Sequence, residues 1–294
     1  MAALAALALA AGLPLTFAAT AQNGPAPRPT PTFAPLAATP ATSTSATSPL
    51  TYADLVDLAQ SAELVLRVEI RDQRNLPPER APGLAAGQVR LYLQARTQAL
   101  LAGAGPIGES HAFLTDVPLD ARGRRPNLKR GIYLLFANRV PGRPGELQLV
   151  GRGAMQPNDP LLDQRLRTVL TQLVQGARPP LVTGVREIIS VPGNLAGESE
   201  TQIFLATETG APVSLTVVRR PGMAPGWGAS WSEIVDQSAR PPAPETLHWH
   251  MLACHLPEVL PESAFLQRDP AGRTRAREDY ALIRRELGNC ARSI

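Results

Sequence analysis

The sequence predicts a mainly β, α+β protein: an antiparallel β-barrel followed by an antiparallel sheet with C-terminal helices. Two observations carry this reading. Apolar residues recur at every second position in segments between residues 64 and 150, and again between 185 and 236, the period of half-buried strands. Pro and Gly, 30 and 23 residues of 294, gather between these segments at turn positions, whereas aromatic residues are only 4%. Helical periodicity is confined to residues 51–58, 160–174, 245–256 and 274–287.

Taken in chain order, residues 1–21 read as a signal peptide. Ala2 to Ala19 are almost wholly apolar, and Ala19-Thr20-Ala21 offers a small-residue cleavage site before Gln22. The stretch is short for a permanent span, is built from weakly hydrophobic Ala, and is interrupted by Gly12 and Pro14. No Lys or Arg precedes it, so an upstream start is expected, with Met1 an internal methionine. No Cys follows the cleavage site, which argues against a lipid anchor. Residues 22–49 are Pro, Thr, Ser and Ala with Arg28 the sole charge; too little apolar surface is available to offset ordering entropy, and a disordered linker is expected.

Residues 50–177 are read as the first folded unit. Ser48-Pro49 and Thr51 open a short helix carrying Tyr52, Leu55, Val56 and Leu58. Leu64, Leu66, Val68 and Ile70 then alternate with polar neighbours up to Arg71. Residues 88–97 repeat the pattern through Val89, Leu91, Leu93 and Ala95, and residues 112–117 give a shorter strand. The continuous apolar run Ile132 to Ala137 suits a strand covered on both faces. Residues 146–150 follow a Pro/Gly turn and complete a hairpin, and 160–174 form a helix with Leu162, Leu166, Val169, Leu170 and Leu173 on one stripe.

Five strands with flanking helices point to a small closed barrel of the OB type. Ala53-Asp54-Leu55, the strand opening Ser61-Ala62-Glu63-Leu64-Val65-Leu66-Arg67-Val68, and Gly131-Ile132-Tyr133-Leu134-Leu135-Phe136 resemble segments of netrin-like, inhibitor-type OB domains. The resemblance implies the barrel. It does not imply metalloproteinase inhibition, because those inhibitors bind zinc through an N-terminal Cys and this unit has none. Residues 191–199 (VPGNLAGES) and 230–236 (SWSEIVD) resemble exported proteins of sphingomonad-type alphaproteobacteria, which implies export and no particular activity.

Residues 178–294 are read as an α+β unit beginning at Arg178-Pro179-Pro180, where a Pro pair resists helix continuation. Strands are expected at 185–191, 202–206, 213–219 and 231–236, with turns at Pro192-Gly193-Asn194, Thr209-Gly210 and Pro221-Gly222. Two helices follow Pro241-Pro242. Leu247, Met251 and Cys254 form one helical stripe, and Ile283, Leu287 and Cys290 another, so both thiols should face the core. In an exported chain these two cysteines are expected to form a disulfide worth roughly 3–4 kcal/mol on the chain-entropy account.

The net charge is +4, nearly all of it Arg, since Lys129 is the only lysine. The arginines alternate with Asp and Glu; Arg124, Arg125, Lys129 and Arg130 form the one compact cluster, in an expected loop. A nucleic-acid face needs clustered charge interleaved with aromatics, so nucleic acid is not the expected partner. His248, His250, Cys254 and His255 have metal-ligand chemistry, but His248 and His250 lie about 200° apart around a helix and a bridged Cys254 is lost as a ligand, so no metal is assigned. Gly108-Glu109-Ser110-His111 and Gly197-Glu198-Ser199 read as turns, and the spacing of Asp116 and Asp120 fixes no catalytic geometry. No nucleotide-binding loop is present and no cofactor is implied.

Trp227, Trp231 and Trp249 are the only tryptophans, the first two among Gly222, Gly226 and Gly228. Arg219, Arg220, Trp227 and Trp231 are the candidate contact surface, because indoles and guanidinium groups serve partner recognition; core packing of the Trp rings is the competing reading. The expectation is a periplasmic or secreted, non-enzymatic binding or scaffold protein with an envelope protein or polymer as partner. The rival is a hydrolase acting on cell wall or carbohydrate, which would need a cleft with convergent carboxylates or a Ser/His pair.

Overall fold

The computed structural model describes residues 49–176, 178–234 and 238–294. The expected signal peptide and all but the last residue of the expected linker lie outside these described residues. These described residues make one compact unit.

Helix α1 (Tyr52–Ser61) starts at a capping box: Asp54 N–H donates to Thr51 Oγ1 (3.1 Å) and Thr51 N–H donates to Asp54 Oδ2 (2.8 Å). Five strands then close a barrel: β1 (Leu64–Asn75), β2 (Gln88–Ala102), β3 (Ser110–Pro118), β4 (Ile132–Arg139) and β5 (Glu146–Leu149). They run in the order β1-β2-β3-β5-β4, and β4 returns to β1, pairing Leu64 with Ala137 through Glu69 with Ile132. The β3–β5 pair is parallel and the others antiparallel. This is the expected OB-like barrel. A short β6 (Met155–Pro157) adds to β4; three residues are too few to show an alternation.

Leu64, Leu66, Val68, Ile70, Leu91, Leu93, Ala95 and Phe113 fill the barrel. β1 runs four residues past the alternation that marks it, because a register shift between Ile70 and Asp72 interrupts the period. Gln73 consequently turns inward, where its amide donates to Pro126 O (3.0 Å) and accepts from Leu128 N–H (2.7 Å). On the outside, Val65, Leu134 and Phe136 pack beneath α1 and α2 (Pro160–Gln175), which explains the unbroken apolar run in β4.

The second sheet is a meander of four antiparallel strands, β7 (Val182–Pro192), β8 (Ser199–Thr207), β9 (Ser214–Arg219) and β10 (Gly226–Ser230). Ile188, Ile203, Leu205, Leu215, Val217 and Trp227 form its core with Leu252 of α3 (Leu247–His255) and Ala276, Tyr280 and Ile283 of α4 (Pro270–Leu287).

Two expectations are corrected here. The fourth strand is Gly226–Ser230, not 231–236, whose last two residues lie outside the described ones. Gly228 makes this possible: a Cβ there would stand 2.0 Å from the Ala239 carbonyl oxygen, so only glycine lets that segment cross the strand. Cys290 is not on the last helix, which ends at Leu287 with Gly288 at φ 73°. The expected disulfide is nonetheless formed, with Cys254 and Cys290 Cα atoms 5.0 Å apart.

Past that bridge the chain reaches the barrel side. Arg292 pairs with Asp57 of α1, Ser293 Oγ donates to Asp54 Oδ2 (2.6 Å), and Ile294 covers Gly153. Tyr52 and Trp249 meet edge to face at 6.0 Å in the same junction.

Candidate contact surface

Of the four residues expected at the contact surface, Arg219, Arg220 and Trp227 gather at one end of the second sheet, but with different duties. β8 and β9 pair Ser199 with Arg219, so the β7–β8 turn (193–198) and the β9–β10 turn (220–225) stand side by side. Arg219 points back into the fold: its Nε and Nη2 donate to Asp279 Oδ1 of α4 at 2.6 and 2.5 Å. The Asp279 side chain is wholly buried, and its Oδ2 accepts from Thr201 Oγ1 (2.5 Å). Thr201 Oγ1 also lies 2.8 Å from Ser190 Oγ. One hydroxyl carries one proton, so the carboxylate takes that of Thr201 and Ser190 donates to Thr201. This chain ties β7, β8, β9 and α4 together below the turns.

Trp227 is 6% exposed, and its indole N–H donates to Glu286 Oε2 of α4 (2.7 Å). Its ring belongs to the core and is not available to a partner. Trp231 lies apart, half-buried, with its ring edge to face on His248 at 4.6 Å. Arg220 alone of the four is fully at the surface.

The exposed apolar members of this end were not among the expected residues. Leu195 and Met223 are 62% and 65% exposed on these two turns, and Val191, 53% exposed, lies near the end of β7. Their signal was legible, since VPGNLAG and PGMAPG are unusually apolar for turns. The first turn is braced from within: Glu198 Oε2 accepts from the N–H groups of Asn194 (3.0 Å) and Leu195 (3.2 Å), while Gly193 N–H donates to Glu198 O. In the second, Met223 N–H donates to Arg220 O (3.2 Å). Both apolar turns thus carry internal hydrogen bonds and rise from the hydrogen-bonded chain below them.

The histidines form no comparable site. His250 is 1% exposed, and burial pushes its imidazole down to about 4. Its Nε2 lies 3.1 Å from Asp57, whose other oxygen is engaged by Arg292. Burial also lowers His248 and His255, and Cys254 is bridged. Among the described residues no group of three or more His, Cys, Asp or Glu is placed to hold a metal ion.

The acidic pair on the barrel is used internally: Asp116 is bidentate to Arg90 (2.6 and 2.8 Å) and Asp120 pairs with Arg124 (2.9 Å). Ser110 is exposed while the neighbouring His111 is buried, its Nε2 3.0 Å from Gly108 O. In the basic loop, Lys129 pairs with Asp72 (2.7 Å), and its ammonium helps to hold that carboxyl down at about 2. Arg125 donates to Asn75 (2.6 Å).

Fold and surface together define a β-rich protein in which an OB-like barrel adjoins a helix-backed antiparallel sheet with an apolar hairpin end. Neither the family models nor the curated proteins searched contain a match to this chain. Among the described residues no helix is long and apolar enough to cross a membrane, and the disulfide is compatible with an oxidising compartment.

Proposed function

We propose that this chain is an exported, non-enzymatic binding or scaffold module of the periplasm or cell exterior. It would engage a component of the envelope through the hairpin end of the second sheet. The observation that carries this reading is the exposure of Leu195 and Met223 on adjacent turns, with Val191 exposed at the end of β7, above the buried Arg219–Asp279 pair. Large apolar side chains presented together on a rigid base favour association. Export is supported by the apolar N-terminal sequence and by the disulfide.

The test places a photo-crosslinking residue at Leu195 or Met223 in intact cells. The reading expects crosslinks to one class of envelope component from these positions and not from the exposed barrel position Gln94. Equal, diffuse labelling from all three positions overturns it.

A further inference from the structure

We infer that one end of the barrel, where the β1–β2 and β3–β4 connections lie, binds a linear acidic polysaccharide through Arg80, Arg122, Arg125 and Arg130. This surface belongs to the first sheet and does not depend on the hairpin end of the second. Residues 69–90 and 116–131 meet there. Gln88 pairs with Pro118 and Arg90 with Asp116 across β2 and β3, Leu119 N–H donates to Gly87 O (2.9 Å), and Arg130 N–H donates to Ile70 O (2.8 Å).

The first argument is charge. These two segments hold nine of the 29 basic side chains and five of the 25 carboxylates. That surplus equals the net charge of +4 carried by all 294 residues, so the excess sits at this end and the rest of the chain is balanced. Four of the five carboxylates are already engaged: Glu69 by Arg71 and Arg96, Asp72 by Arg74 and Lys129, Asp116 by Arg90, and Asp120 by Arg124. Asp159, at the adjoining β6–α2 corner, caps α2 through Leu162 N–H (2.9 Å). Only Glu79 is left against Arg80, Arg122, Arg125 and Arg130, which are exposed and have no carboxylate partner among the described residues. Arg125 reaches Asn75 Oδ1, a neutral acceptor.

The second argument is that the loop bearing three of these arginines is held in shape. Asp120 Oδ1 accepts from the N–H groups of Arg122 and Arg124 (both 2.8 Å), and Gly123 N–H donates to Asp120 O (2.8 Å). Gln73 grips Pro126 O and Leu128 N–H from the barrel side. Arg130 stands at φ 65°, backbone that favours Gly or Asn, and presents an exposed guanidinium there. Charges on a braced loop lose less freedom on binding than charges on a slack one.

The third argument selects the occupant. Eight of the nine cations are Arg, whose planar fork pairs with carboxylates through two parallel hydrogen bonds. Neither segment contains an aromatic residue, so the bases of a nucleic acid would have nothing to stack on. None of the exposed large apolar side chains lies in them, so they offer neither a lipid-inserting tip nor the apolar centre of a protein interface. A polymer held by its charges alone fits this surface, and a chain of carboxylated sugars supplies those charges at regular intervals.

The test is binding of the full chain to immobilised alginate, with neutral dextran as the blank. The unaltered chain is compared with the triple variant Arg122→Gln/Arg125→Gln/Arg130→Gln. A second triple variant, Arg152→Gln/Arg268→Gln/Arg285→Gln, removes the same charge from exposed positions elsewhere. Alginate binding that weakens with salt is expected. The barrel variant should raise the Kd about tenfold or more, and the control variant less than about twofold. Every substituted side chain is exposed, and an unchanged thermal midpoint confirms that the fold is kept.

No binding to alginate at low salt overturns the inference. Equal losses in the two variants overturn it as well, because net charge and not this surface would then be the cause. Tighter binding to a thymidine oligonucleotide or to phosphatidylglycerol vesicles than to alginate removes the polysaccharide as occupant. The crosslinks from positions 195 and 223 report on the other surface, so either reading can fail without the other.

Discussion

Replacing Arg219 by Met tests whether the hairpin end stands on a buried ion pair. The substitution keeps the aliphatic stem but leaves the fully buried Asp279 carboxylate with Thr201 as its one remaining side-chain partner. Removing one partner of a buried pair costs about 3–5 kcal/mol, chiefly from the stranded charge. The lower end applies here, because the Arg219 side chain is 28% exposed and water can reach the vacated oxygen. A loss of about 3 kcal/mol corresponds to a fall of roughly 6–12 °C in the thermal midpoint for a unit of this size. Urea unfolding with the disulfide intact measures it. The double variant Arg219→Met/Asp279→Leu should recover most of the loss, because it removes the stranded charge. A single variant within about 1 kcal/mol of the parent, or a double variant whose losses simply add, would refute the reasoning.

His250 should make stability fall with acid. Burial holds its imidazole at about 4 in the folded chain, against 6.5 ordinarily, so the unfolded chain binds the extra proton between those values. Stability is therefore lost as pH falls from 6.5 to 4, by at most about 3 kcal/mol, and His250→Gln should flatten that slope in urea midpoints; equal slopes in both proteins would remove His250 as the cause. Reducing the Cys254–Cys290 bridge, which closes a separation of 36 residues, should cost about 4 kcal/mol on the chain-entropy account, and a midpoint indifferent to reductant would contradict it. Gly228→Ala should destabilise strongly, by about 3 kcal/mol or more, because the new methyl group meets the Ala239 carbonyl. Gly226→Ala, where nothing lies within 4 Å, serves as its control, and equal effects would show that close approach is not the reason for the glycine.

The fold was legible wherever one physical signal acted alone. β2 alternates cleanly because one face looks into the barrel and the other to solvent, and α2 shows its stripe because it lies flat on the barrel. Legibility failed where a second requirement cut across the first. At Gly226–Ser230 three of the five side chains are Gly or Ala, Gly228 among them required by the crossing of Ala239, so the strand carried a loop composition. At Cys290 the i, i+7 spacing was right and the element wrong: Gly288 ended the helix, yet the thiol still reached Cys254.

The contact surface shows the same division in chemical form. Arg219 and Trp227 have the side chains a binding surface uses, but each has a carboxylate on α4 within hydrogen-bond reach, Asp279 and Glu286, spaced seven residues apart on one face of that helix. Local sequence cannot show that pairing, because α4 lies some 60 residues away. The exposed trio obeys the opposite logic. Turns of a meander have no core to fill, so Leu195 and Met223 gain nothing locally from being apolar, and that excess is the sequence-level feature on which the proposed binding surface rests.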